Sequence, residues 1–205
     1  MPAHDWSKVE AGTFHSFHNA WITHLMGRLN GGLLPDGYYA LTEQSSSGPS
    51  GRGRRLTIHH ASGHQIVAFL EIVSPGNKDR AASVEEFVYT VDAPLMQGVH
   101  VMIVDLFPPG RFDPRGIHGA IWARYGKEEE IVPPEKPVTL SSYRAVVPVE
   151  AYVNHLAFGD SLPEMPLFLD RDTYINVPLE LAYQAAFQDM PAFWRDVLEG
   201  RRAAP

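Results

Sequence analysis

Gln65-Ile66-Val67-Ala68-Phe69-Leu70-Glu71-Ile72-Val73-Ser74-Pro75-Gly76-Asn77-Lys78 is the stretch that decides how this chain folds. Ile66 to Leu70 is almost unbroken in apolar residues, the pattern of a strand covered on both faces and not of one half-exposed to water. Pro75 and Gly76 end it, since proline has no amide to add to a ladder and the pair marks a turn. Beyond the turn, Val84, Phe87, Val88 and Val91 recur at three- and four-residue spacing, so the segment from Ala81 to Gln97 is predicted to be a helix. Ser83 is its expected cap, and Pro94 is expected to spoil its last turn. Val99 to Phe107 is apolar except for His100 and Asp105 and reads as a second buried strand. Upstream, Leu56 to His60 is β-prone and is separated from Gln65 by Ala61-Ser62-Gly63-His64, the layout of a hairpin.

Further out, Phe14, Phe17, Trp21, Leu25, Met26 and Leu29 form the stripe of an amphipathic helix that Gly31-Gly32 and Pro35 stop. Tyr38 to Glu43 is a short strand, and Ser45 to Gly51, all Ser, Gly and Pro, reads as a mobile connector. After Pro108-Pro109-Gly110 prolines multiply and apolar runs shorten. A strand is expected over Ala151 to Phe158, a helix from Leu179 and a final helix through Phe193, Trp194, Val197 and Leu198. The predicted fold is α/β, a mixed sheet flanked by helices. Residues 1–110 would form the core, and 111–205 an extension of short strands and two helices packed on it.

The 205 residues are 44% hydrophobic and 20% charged, enough to bury a core without staples. There is no cysteine, which removes disulfides and thiolate metal sites. A net charge of −7 argues against a broad, non-specific nucleic-acid footprint, which depends on Lys and Arg at phosphates. Arg52, Arg54 and Arg55 are the one concentrated basic patch and read as a solvated loop end. Met1-Pro2-Ala3-His4-Asp5-Trp6 lacks a basic segment followed by an apolar one, and no apolar stretch has the length of a membrane span. The expected setting is cytoplasmic, with no membrane partner; composition fixes no oligomeric state.

Glu71 carries the chemical interest. A carboxylate on a buried strand must be paired, bind a metal or take a raised pKa. In the structural reading Glu71 and Lys78 neutralise each other, or the carboxylate braces the turn at Ser74-Pro75. In the catalytic reading Glu71 is part of a magnesium site with Lys78 near the attacking water, a chemistry that needs a second or third carboxylate.

Phe69-Leu70-Glu71-Ile72-Val73-Ser74-Pro75-Gly76-Asn77-Lys78, followed by Gly98-Val99-His100-Val101-Met102-Ile103-Val104-Asp105-Leu106-Phe107, resembles a bacterial domain-of-unknown-function family with a Glu-x-x-Ser-Pro-x-Asn-Lys signature. That family is similar in turn to the PD-(D/E)xK restriction-endonuclease-like superfamily. The resemblance covers most of the chain, from His4-Asp5-Trp6 through Tyr38-Tyr39-Ala40-Leu41 to Met165-Pro166-Leu167-Phe168-Leu169. It implies a restriction-endonuclease-like fold, Glu71 as the acidic residue of the third motif, and Lys78 as the lysine closing the signature. Two parts of the superfamily pattern are missing. No aspartate occurs between Glu43 and Glu71, where a Pro-Asp pair would hold the metal, and the helix from Ala81 to Gln97 has no Lys or Arg.

Glu43, on the strand before that gap, is the expected replacement metal ligand beside Glu71; Asp105 is the other, more naturally read as bonding loop amides. His15 and His18 share a helix face, and His59, His60 and His64 gather at the hairpin, but no His-Glu-x-x-His pattern is present. No nucleophile elbow, Walker loop or dinucleotide fingerprint occurs either. The sequence therefore predicts a catalytically degenerate relative of a nuclease fold that acts as a binding or assembly module. The alternative is a magnesium-dependent phosphodiesterase acting on nucleic acid through Glu71 and Lys78.

Overall fold

A computed structural model describes residues 3–45, 53–127 and 131–205. In chain order these form α1 (Ala11–Arg28), β1 (Tyr38–Ser45), β2 (Gly53–His60), β3 (Gln65–Ile72), α2 (Ala81–Met96), β4 (His100–Asp105) and α3 (Gly116–Trp122). Then follow β5 (Val138–Arg144), β6 (Glu150–Leu156), β7 (Met165–Phe168), β8 (Tyr174–Val177), α4 (Leu179–Gln188) and α5 (Ala192–Leu198). β1 to β6 build one mixed sheet in sequence order, parallel only between β3 and β4; β7 and β8 form a separate ribbon. The fold is mixed α/β. No helix among the described residues is long and apolar enough to cross a membrane.

Successive strand residues point to opposite faces, and the sequence loads both. Leu56, Ile58, Leu70, Ile72, Met102 and Val104 face α1 and α4, where Phe14, Phe17, Trp21, Tyr183 and Phe187 complete the larger core. Phe69, Val101, Ile103 and Tyr143 face α2 and α3 through Phe87, Val91, Ile117 and Ile121. Phe14, Phe17 and Trp21 are thus core residues, as their helical spacing implies. The sheet crosses residue 110: β5 pairs with β4 and carries β6 beyond it.

Ile66 departs from the expected burial and is 39% exposed. Pairing with β4 begins only at Ala68, opposite His100, so the first residues of β3 have no neighbour on that side. Ser83 is not the cap of α2; Arg80 occupies the cap position, and Ser83 donates from the first turn to Asp79 at 2.7 Å. α2 runs through Pro94 to Met96, so the last turn forms despite the proline. A missing donor in a last turn removes little, and the Pro94 carbonyl still accepts from the Gln97 and Val99 amides. Among the described residues the second half holds three α-helices, not two, because α3 is a seven-residue segment too short to display a helical period. The connector expected at 45–51 falls, beyond Ser45, outside the described residues.

The two edges of the main sheet are treated differently. At β1, a π-turn after α1 (Leu29–Leu33) places Asn30 against the strand, its side chain donating to the Ala40 carbonyl at 2.9 Å and accepting from the Ala40 amide at 2.8 Å. Gly32, at φ 117°, supplies the left-handed residue that lets the chain leave this turn. A side-chain amide thus occupies edge groups that would otherwise offer pairing to another strand.

Candidate functional site

β3 and β4 end side by side, and the residues singled out in the sequence lie around those ends. Glu71 points to the α2 face. The register that pairs Leu56 with Leu70 brings Arg55 opposite it, and the Arg55 guanidinium lies 3.2 Å from the Glu71 carboxylate. The Glu71 and Arg55 side chains are only 5% and 15% exposed, and the guanidinium packs over the Phe69 ring at 4.6 Å from its centre. Arg55 is therefore not part of a solvated loop end. Arg54, one position away and on the other face, is exposed, and Arg52 lies outside the described residues.

Glu43 pairs with Arg55 across β1 and β2, so Glu43, Arg55 and Glu71 form one row across three strands. With strands about 4.8 Å apart, the two acidic backbones stand about 9–10 Å from each other. The guanidinium fills the interval. Glu43 leans instead toward His59, at 3.5 Å from Nε2, and the same nitrogen lies 3.0 Å from the Thr57 hydroxyl. A magnesium ion bridging Glu43 and Glu71 would have to displace Arg55, and the row as built does not fit one.

Lys78 goes elsewhere. The turn Pro75–Asn77 is fixed by buried Asn77, whose side-chain oxygen accepts from the Ser74 amide at 2.8 Å and the Ser74 hydroxyl at 2.7 Å. This turn sends Lys78 toward the end of β4. Its ammonium lies 2.9 Å from Asp105, 2.9 Å from Asp113, and 3.0 Å from the carbonyls of both Phe107 and Pro108. An ammonium has three donors, so this cage uses all of them. Asp105 also accepts from the Phe107 amide at 3.1 Å, the loop-bracing role its position suggested, and Asp113 accepts from the Gly110 amide at 2.9 Å. A Cβ on Gly110 would stand 3.0 Å from that Asp113 oxygen, tighter than the loop allows without shifting.

Burial alone would depress the Lys78 ammonium, but Asp105 and Asp113 outweigh it and hold its pKa above the ordinary value. Burial pushes the Asp105 carboxyl up against the opposing pull of Lys78 and the Phe107 amide. One cation serves two buried carboxylates here, and the Asp113 charge adds to the burial that raises Asp105. Glu71 and Lys78 do not neutralise each other: each has its own partner. The cause is geometric, since Glu71 has a cation directly across the ladder while Lys78 lies beyond a turn that aims it at the next strand.

The histidines divide between settings. His18 is buried against the Ile72 backbone on the α1 side of the sheet, opposite the face that holds Glu71. Burial, and then the neighbouring His15, push its pKa down to about 4. His15 is exposed and bonds Asn19 at 3.1 Å. His64 bonds the Tyr39 hydroxyl at 2.7 Å, and His59 stacks on the Tyr39 ring. No three His, Asp or Glu side chains among the described residues are disposed to hold a metal.

Arg55 and Asp113 are the members that sequence reasoning missed. Counting back from the 61–64 turn without interruption sets Arg54, not Arg55, against Glu71; a β-bulge between Ile58 and His59 shifts the register by one. No signal in the sequence locates that bulge. Asp113, in a Pro-rich loop after β4, has no periodic pattern around it to announce burial. Comparison with protein-family models, with curated proteins and with solved structures finds no match for this chain.

Proposed function

We propose that this chain is a binding or assembly module on a restriction-endonuclease-like scaffold whose catalytic set is degenerate. The observation that carries this reading is the separation of Glu71 and Lys78 into two internal ion-pair sites, one closed by Arg55 and the other by Asp105 and Asp113. Recruiting Glu71 to a metal would strip a largely buried guanidinium of its partner, and breaking such a pair costs about 3–5 kcal/mol. Lys78, with a raised pKa and its donors engaged, remains an ammonium at neutral pH and cannot accept a proton from water. The scaffold assignment rests on the sequence resemblance, with the mixed sheet between helical layers as the coarser feature in agreement.

The test is a cleavage assay on single- and double-stranded DNA and on RNA, with magnesium or manganese, using wild type and Glu71→Ala. Neither protein is expected to cut. Metal-dependent cleavage by wild type that the substitution abolishes would overturn the reading in favour of a phosphodiesterase.

A further inference from the structure

We propose that β6 is a self-pairing edge, and that two copies of this chain join antiparallel through it into one continuous sheet. This deepens the assembly reading above and takes its purpose, not its geometry, from it.

The two edges of the sheet make the argument. β1 is occupied at Ala40 by Asn30. β6 carries no such side chain among the described residues, where its backbone hydrogen bonds are those of its ladder to β5. It is also regular, pairing with β5 over its whole length from Glu150 to Leu156 without a bulge. Glu-Ala-Tyr-Val-Asn-His-Leu contains no lysine, arginine or proline, the residues with which sheets discourage edge pairing. Alternate residues of such an edge turn their amides and carbonyls outward, ready for a second strand.

Apolar surface lies at the same place. Tyr152 and Val153 are 43% and 37% exposed, and Tyr174 of the neighbouring ribbon is 53% exposed. Tyr152 and Tyr174 both pack on Phe168, with ring centres 5.2 and 5.7 Å apart, so an aromatic strip runs beside the open edge. The strand is self-complementary. A two-fold axis at its middle residue sets Val153 against Val153, Tyr152 against Asn154, Ala151 against His155 and Glu150 against Leu156, with no like charges opposed. On a chain of net charge −7 a stretch with a single charge is where two copies can approach.

The full chain should sediment at twice its 22.8 kDa mass. Val153→Lys and Val153→Glu, each setting like charges across the two-fold axis, should each weaken self-association about tenfold or more while circular dichroism stays unchanged. Mixing the two variants should restore the dimer, because Lys then faces Glu. Hydrogen exchange supplies the second readout: the alternate, outward-facing amides within residues 150–156 must lose protection as wild type is diluted through dissociation, while those bonded to β5 keep it. A monomeric wild type, variants that stay dimeric, or a mixture that fails to re-form the dimer overturns the proposal. So does dissociation that leaves exchange in β6 unaltered. A dimer that cleaves nucleic acid would sink the functional reading and leave this one standing; a monomer that cleaves nothing does the reverse.

Discussion

Replacing Lys78 with methionine removes the cation from the cage at the end of β4 while keeping the length of its apolar stem. Asp105 and Asp113 are then left buried with no ammonium, and the Phe107 and Pro108 carbonyls lose a donor. Stranding one side of a buried ion pair costs about 3–5 kcal/mol. At about 2–4 °C per kcal/mol for a chain of this size, Tm should fall by roughly 6–20 °C. Urea unfolding followed by tryptophan fluorescence would measure it, since Trp6 and Trp21 lie in the core. The loss should shrink toward acid pH. Without Lys78 the folded Asp105 pKa rises further above its unfolded value of 3.8, so the penalty is full at neutral pH and is relieved as the carboxyl protonates. Adding Asp105→Asn and Asp113→Asn should recover at least half of the loss. A Lys78→Met cost below about 1 kcal/mol, the range of an exposed pair, would refute the cage as a stabilising element.

Arg55→Met should cost about 3–5 kcal/mol by removing the cation 3.2 Å from the buried Glu71 carboxylate, whereas Arg54→Ala at the exposed neighbour should stay within about 0.5 kcal/mol; equal costs in urea titrations would contradict the observed register. His4, His18 and His100 each have a pKa lowered from 6.5 to about 4, with burial the largest cause. The unfolded chain therefore binds more protons, and stability present above pH 6.5 is lost as pH falls toward 4, on the order of 2 kcal/mol by pH 5 for the enclosed His18 and less for His4 and His100, which solvent screens. A flat stability profile between pH 7.5 and 5 would exclude this. Asn30→Ala removes two hydrogen bonds to the β1 edge and should cost about 1–3 kcal/mol, with new concentration-dependent association that light scattering would detect.

The elements with strong periodicity were legible in the sequence. The α1 stripe, the hairpin and the strand-turn-helix-strand run from Gln65 to Phe107 all appear where apolar spacing sets them. What escaped depends on register or on non-local packing. One bulge decides whether Arg54 or Arg55 meets Glu71, and a seven-residue α3 has too few turns to show a period. The site was half legible for the same reason. Glu71 and Lys78 stand out as ionisable groups beside a buried strand, but their partners, Arg55 and Asp113, are set by how strands align and loops fold back. Asn30 illustrates the limit most simply: its role exists only because a turn ten residues before Ala40 returns to that strand.

Measuring Glu71→Gln for stability and cleavage together distinguishes a Glu71 held as a structural anion from one that serves as a metal ligand. Removing an acid from a working site commonly leaves a protein as stable or more so, since active sites trade stability for activity. Removing an anion that neutralises a buried guanidinium does the opposite, by about 1.5–3 kcal/mol for a hydrogen bond to a charged group. Glu71→Gln is expected to be less stable than wild type, and neither protein to cut nucleic acid with magnesium or manganese. A variant at least as stable as wild type, with cleavage present in wild type and absent in the variant, would contradict it.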